Sequence, residues 1–209
     1  KTVFYNTMQP DWDQRYRQGN TPWDKGSASP PLIEWLKFNQ QRMTGRVLVP
    51  GCGTGHDVRA IANAEPTSAP LGIDISRTAI TTCQQNKSYD NEQYQQADLF
   101  LLPQQFHKAF DWVWEHTCYC AIDPSERPKY VSAIASTLKP AGIFLGVFYL
   151  NPQSDETAPP DGPPHGTSIQ EVETLFLAEN GFILESSKTP NAWYPGREGR
   201  EHVMQFRRL

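Results

Sequence analysis

The chain has 209 residues, a formal net charge of −4 and basic residues scattered along its length. At this size one α/β domain buries roughly 70% of the surface its unfolded form exposes, so neither disulfide nor metal is needed to hold a core. Scattered charge leaves no footprint for phosphodiester or an anionic membrane, and the longest apolar run, Ile143 to Leu150, is far short of the ~20 residues that cross a bilayer. Cys52, Cys83, Cys118 and Cys120 show neither zinc-site spacing nor a disulfide scaffold. With no basic-then-apolar leading segment, these features imply a cytoplasmic protein with reduced thiols and no nucleic-acid or membrane partner.

Residues 1–45 stand apart: Trp12, Tyr16, Trp23 and Trp35 sit among polar residues, with helices predicted in Asp11 to Tyr16 and Pro31 to Phe38. Aromatics this dense must be buried against something. Arg46 to Pro50 reads as a buried strand bounded by glycines, followed by the bend Gly51-Cys52-Gly53-Thr54-Gly55 and a helix opening at Asp57. Leu71 to Ile75 is a second strand, and Ser76 caps the helix running towards Asn86. Gln93 to Ala97 and Phe110 to Glu115 are the third and fourth strands. A helix over Pro128 to Leu138 breaks at Lys139-Pro140, and Ile143 to Leu150, apolar on both faces, is the fifth strand, central to a covered sheet. Asn151 to Gly166 is a proline- and glycine-rich loop, either a lid or a connector. Ser168 and Glu171 form a capping-box pattern for a helix closing at Asn180-Gly181. Phe182 to Ser186 and His202 to Phe206 are the last strands. This order predicts an α/β sandwich with a mostly parallel sheet, one domain over 1–209 with an aromatic segment (1–45) and a core (46–209).

Open parallel sheets bind ligands outside the carboxyl ends of their strands. Gly51, Gly53 and Gly55 follow the first strand, where a missing Cβ lets backbone approach a ligand and the next helix offers free N–H groups. Their spacing is not the dinucleotide pattern. Asp74, ending the second strand, is placed to accept hydrogen bonds from both hydroxyls of a ribose. Asp98, ending the third, is placed to take an adenine amino group while apolar Leu99 covers the ring. A tight structural turn, a helix-capping Asp and a loop Asp are the plainer readings of these three features.

V-L-V-P-G-C-G-T-G-H-D, then G-I-D-I-S, A-D-L-F and F-D-W-V-W-E resemble, in order, the cofactor motifs of class I S-adenosylmethionine (SAM)-dependent methyltransferases. The segments W-D-x-R-Y-x-x-G-N-T-P-W-D and C-A-I-D-P-S-x-R are similar to the thiopurine, thiol and halide methyltransferase branch. The resemblance implies a Rossmann-like sandwich of seven strands, mostly parallel with a C-terminal antiparallel strand, under an N-terminal helical lid. It also implies SAM as cofactor and S-adenosylhomocysteine as product. Trp12, Tyr16 (Trp in some relatives) and Trp23 match the lid's cofactor contacts, where a ring face suits a sulfonium cation. Gly51, Gly53, Gly55, Asp57, Asp74, Ile75, Asp98, Leu99 and His116 match the remaining cofactor positions.

Methyl transfer from a sulfonium is an in-line displacement, and holding the reacting atoms together does most of the work. A thiol, with a free pKa of ~8.5, supplies enough thiolate at neutral pH to need no obligatory base, whereas an alcohol needs a base or a metal. No residue spacing suggests a metal site. Glu115, His116 and Tyr119 are the candidate catalytic helpers, and His116 either takes the thiol proton or bonds the cofactor carboxylate. Trp23, Tyr119, His165 and Arg197 are candidate substrate contacts. His165 stands where some relatives carry an aromatic residue, which weighs against a compact halide pocket. A solvated loop histidine and a surface salt bridge at Arg197 and Arg200 are the plainer alternatives. The expected activity is S-methylation of a small thiol, hydrosulfide or thiopurine-like compound by a monomer. The alternatives are a halide, selenium, tellurium or O-methyltransferase and a non-catalytic SAM-binding module. The aromatic segment is expected to order on cofactor binding.

Overall fold

A computed structural model describes residues 10–152 and 162–209. Seven strands, β1 (Gly45–Pro50), β2 (Ser68–Asp74), β3 (Gln93–Gln96), β4 (Phe110–His116), β5 (Leu138–Tyr149), β6 (Phe182–Lys188) and β7 (Glu201–Arg208), form one sheet in the order β3-β2-β1-β4-β5-β7-β6. The five from β3 to β5 pair in parallel, and β7 runs antiparallel to both β5 and β6. The chain leaves β1 towards β2 and β3, then returns to lay β4 on the other side. Strand order therefore reverses between β1 and β4, and a crevice opens beyond their carboxyl ends.

Among the described residues six α-helices cover the sheet: α1 (Trp12–Arg17), α2 (Pro30–Phe38), α3 (His56–Ala64), α4 (Arg77–Gln85), α5 (Arg127–Thr137) and α6 (Ile169–Leu175). Alternation along the central strands divides the apolar side chains between two layers. Leu48, Val113, Phe144 and Phe148 pack with Tyr130, Val131 and Ile134 of α5 and Val172 of α6. Val47, Val49, Trp112, Trp114 and Leu145 pack with Leu32 and Trp35 of α2 and Val58 and Ile61 of α3. Both faces of the sheet are thus sealed.

Several strands run a few residues beyond their predicted ends, such as β2 from Ser68 and β7 to Arg208, and two boundaries differ for a local reason. Lys139-Pro140 does not separate helix from strand, because β5 already begins at Leu138, paired with Phe110; the register then jumps to Ile143 opposite Trp112. Proline is tolerated where pairing is interrupted. The last helix ends at Leu175, not Asn180, and a separate 3-10 turn spans Ala178–Asn180. Ser168 does cap α6 through the Glu171 amide, but the Glu171 carboxylate bonds the Arg127 guanidinium and the Thr167 hydroxyl instead of closing a capping box. Of the predicted loop 151–166, residues 153–161 lie outside the described residues.

Candidate active site

The crevice beyond β1, β2 and β4 is a cleft of two lobes. The first is lined by Trp12, Tyr16, Gly51, Asp74, Ile75, Asp98, Leu99, Phe100, Cys118 and Ile122, and the second by Asp24, Gly53, Thr54, Asp57, His116 and Tyr194; Tyr16, Trp23, Gly51 and Thr117 border both.

The glycine bend makes the floor. Gly51 and Gly53 have φ of 59° and 54°, a left-handed geometry that costs other residues about 1–2 kcal/mol. A Cβ on Gly51 would come 2.9 Å from the Cys118 Cβ, and one on Gly53 would come 2.9 Å from the Tyr16 hydroxyl. Gly55 borders neither lobe. It caps α3 in a left-handed conformation under the Tyr94 ring.

Asp74 ends β2 with its carboxylate turned into the first lobe. Its Oδ2 accepts the Gly53 amide (3.0 Å) and its Oδ1 the Ser76 amide (2.8 Å). Each oxygen keeps a lone pair for a further donor, the requirement for gripping a vicinal diol. Burial pushes its pKa up to about 6, against the pull of those two amides. Asp98 and Leu99 follow β3; Asp98 accepts the Phe100 amide (2.8 Å). Ile75, Leu99, Phe100 and Ile122 supply apolar walls suited to a flat heteroaromatic ring.

The N-terminal segment forms a strap over this floor. The Trp23 indole N–H donates to the Tyr16 hydroxyl (3.0 Å), and Trp23 meets Trp12 and Tyr16 edge to face, with centroids 5.3 and 5.7 Å apart. The Arg15 guanidinium lies 4.3 Å from the Trp23 ring centroid. Two aspartates that sequence reasoning passed over fasten the strap. Asp13 accepts the Ser76 hydroxyl and the Thr78 amide, both at 2.8 Å. Asp24 accepts the Thr54 hydroxyl (2.7 Å) and faces His56 Nε2 (3.2 Å). Burial works against the Asp24 charge, but Thr54, the Gly26 amide and His56 outweigh it and hold its carboxyl below the usual range. Their signal was present: each is the acid of a quoted W-D pair.

His116, at the end of β4, closes the second lobe. Its Nε2 lies 3.5 Å from Glu201 Oε1 and 3.4 Å from Arg197 Nη1, and its Nδ1 lies 3.9 Å from Asp57 Oδ2. Arg197 is held by Glu201 (2.8 Å) and lies over the Tyr149 and Tyr194 rings. Arg197 is therefore a buried ion pair behind His116 and not a lining residue of either lobe. Asp57 lines the second lobe while accepting the Ser29 amide and the Trp114 indole N–H, each at 2.7 Å.

Three further candidate residues, two helpers and one substrate contact, lie elsewhere. Glu115 is fully buried on the opposite face of β4. Its oxygens accept the Cys118 amide (3.0 Å), the Tyr119 amide (2.8 Å) and the Tyr130 hydroxyl (2.5 Å), and burial raises its pKa to about 7. Tyr119 is buried between Tyr130 and Phe148 with the Arg127 guanidinium over its ring. His165 donates its amide to the Cys120 carbonyl (2.7 Å), and its carbonyl accepts from Arg127. None of the three borders the cleft, because each serves the packing beneath the Tyr119–Ala121 turn.

The donors and walls fit an adenosyl amino acid: a diol-binding carboxylate, a ring slot, an amide-rich bend and an aromatic cover. Comparisons agree. The thiopurine S-methyltransferase family model matches residues 7–204. Thiocyanate methyltransferase 1 of Arabidopsis thaliana is 30% identical over 213 residues, covering 100% of this chain and 89% of that protein. Probable thiol methyltransferase 2 of the same plant is 32% identical over 187 residues, covering 85% and 77%. Among solved structures, 1,6-didemethyltoxoflavin-N1-methyltransferase of Burkholderia thailandensis, crystallised with S-adenosylhomocysteine, superposes with a TM-score of 0.70 at 18% identity, covering 94% of this chain and 84% of that one. The chain belongs to the thiopurine S-methyltransferase family and is a SAM-dependent methyltransferase.

Proposed function

We propose that this enzyme methylates small thiols. The observation that carries the reading is the junction of the two lobes, where Tyr16, Trp23, Gly51 and Thr117 border both. Asp74 and Asp98 would hold the ribose and adenine of SAM in the first lobe, and the bend at Gly51 and Gly53 its amino-acid portion. SAM supplies an electrophilic methyl group on a sulfonium. At the junction the Tyr16 and Trp23 rings exclude water, and cationic sulfur suits an aromatic face. The acceptor then enters beside His116 and Tyr194. The names of the thiocyanate and thiol methyltransferase relatives support a soft sulfur nucleophile. A net charge of −4 and four free cysteines support a cytoplasmic enzyme without a nucleic-acid partner, and we read it as a monomer. No helix among the described residues is long and apolar enough to cross a membrane.

Release of S-adenosylhomocysteine from SAM tests the reading with a panel of hydrosulfide, alkyl and aromatic thiols, iodide and phenols. Turnover with thiols is the expected result. Turnover with iodide or phenol and with no thiol would overturn it.

A further inference from the structure

Thr117, the first residue after β4, borders both lobes of the cleft. Its φ is 65°, a left-handed geometry uncommon outside glycine and an outlier for a β-branched residue. The other non-glycine residues with positive φ among those described, Lys108 and Ala141, lie at the amino ends of β4 and β5, opposite the cleft.

Three contacts impose that geometry. The buried Glu115 carboxylate takes the amides of Cys118 and Tyr119, at 3.0 and 2.8 Å. The Thr117 hydroxyl donates back to the His116 carbonyl (2.6 Å), and the Cys120 thiol donates to the Thr117 carbonyl (3.5 Å). Glu115 thus acts on the cleft from behind, through the turn. Strain of this kind persists only where the surroundings over-determine it, and it gathers at ligand sites. With its hydroxyl spent on His116, the Thr117 side chain has its methyl group left to present to the cleft.

We propose that Thr117 is a specificity-determining residue: its methyl group, fixed at the junction of the lobes, limits the bulk of the sulfur acceptor and favours hydrosulfide and small thiols over fused-ring thiols. This rests on the thiol reading above, which seats the sulfonium at that junction. The acceptor attacks as the thiolate, opposite the old carbon–sulfonium bond. Its lone pair forms the new bond to the methyl carbon, and the pair of the old bond goes to the cofactor sulfur as a neutral thioether. Whatever the acceptor sulfur carries must trail past Thr117 into the second lobe. The other sides of the junction give no relief. Gly51 packs against Cys118 too closely to admit even a Cβ, and Trp23 is tied to Tyr16 by its indole N–H. A misplacement of about 1 Å at the reacting atoms costs on the order of 100-fold in rate, so a bulky acceptor pushed off line by the Thr117 methyl reacts slowly.

Two variants test the proposal. T117S keeps the hydroxyl bond and removes the methyl group alone, whereas T117G removes both. In T117S the kcat/KM ratio of 2-naphthalenethiol to hydrosulfide should rise about tenfold, the scale of one methyl group in a fitted pocket. Calorimetry should show 2-naphthalenethiol binding to the S-adenosylhomocysteine-loaded variant tightened by about tenfold, with affinity for S-adenosylhomocysteine itself unchanged. T117G should move the ratio in the same direction. A ratio unchanged in both variants, with both acceptors slowed alike, would mark Thr117 as structural. Weaker S-adenosylhomocysteine binding in T117S would assign the residue to the cofactor. Either result would overturn the proposal. Absence of turnover with every thiol by the unaltered enzyme would instead defeat the thiol reading, while the calorimetric comparison, and the ratio of 2-naphthol to iodide, would still test Thr117.

Discussion

The Asp13 carboxylate of the strap accepts the Thr78 amide in the first turn of α4, 2.8 Å away, so an N-terminal acid serves as a second cap on a core helix. The Thr78 amide and the Ser76 hydroxyl hold its carboxyl below the usual range. Its charge therefore persists below the ordinary carboxylate pKa and is lost only as pH falls through a lower value. Asp13→Ala should speed proteolysis between Trp12 and Trp23 and weaken S-adenosylhomocysteine binding, and added S-adenosylhomocysteine should slow cleavage of the unaltered protein. Identical cleavage rates in both proteins, with and without the product, would refute this role for the latch.

Tyr16 tests the polar tie within the strap. Tyr16→Phe leaves the ring but removes the acceptor for the Trp23 indole N–H, an interaction of about 1 kcal/mol. Calorimetry should show S-adenosylhomocysteine binding weakened by roughly fivefold. Unchanged affinity would mean the hydroxyl contributes nothing to closure.

Asp74, proposed above to hold the ribose, should give cofactor binding a pH dependence. Its pKa in the free protein is raised to about 6, chiefly by burial, and only the carboxylate accepts both hydroxyls of a diol. Affinity for S-adenosylhomocysteine should be flat above pH 7 and should fall below about pH 6, approaching tenfold per pH unit. Asp74→Asn should remove this acid limb and weaken binding at pH 8. A variant with the same acid limb would place the titrating group elsewhere.

Glu115 predicts a stability effect with the opposite place in the molecule. Its folded pKa is raised from 4.5 to about 7 by burial, so the folded state holds the proton more tightly than the unfolded chain. Its contribution is fully present below about pH 4.5 and is lost as pH rises through about 7, a swing on the order of 3 kcal/mol. Glu115→Gln keeps an acceptor for the Cys118 and Tyr119 amides and offers a donor to the Tyr130 oxygen. Thermal melts should show the variant gaining on the unaltered protein as pH rises from 5 to 8. Parallel melting curves would contradict this.

Asp74 and Glu115 show how far the sequence was legible. Each is an acid at the carboxyl end of a parallel strand, and strand-end position alone treats them alike. Asp74 faces the cleft, whereas Glu115 faces α5 through Tyr130. β4 is apolar on both faces, with Trp112 and Trp114 on one layer and Val113 on the other, so no hydrophobic alternation tells which face an acid takes. Neighbouring residues on a strand point to opposite sides, which is why His116 reaches the lobe and Glu115 does not. The succession of strands along the chain, the bend and the place of Asp74 at a strand end were readable because glycine spacing and strand ends are local signals. The Arg197–Glu201 pair and the Asp24–Thr54 latch join distant or irregular segments, and nothing local announces such partners.

Methyl transfer from SAM, held at Asp74, to a thiol is the proposed reaction. Incubation with SAM labelled with carbon-13 in its methyl group and thiophenol, followed by mass spectrometry, tests it most directly. The predicted result is labelled methyl phenyl thioether, formed one-for-one with S-adenosylhomocysteine, and roughly 100-fold less of it from Asp74→Asn at limiting SAM. SAM binding without labelled thioether from thiophenol or any other thiol would contradict the account.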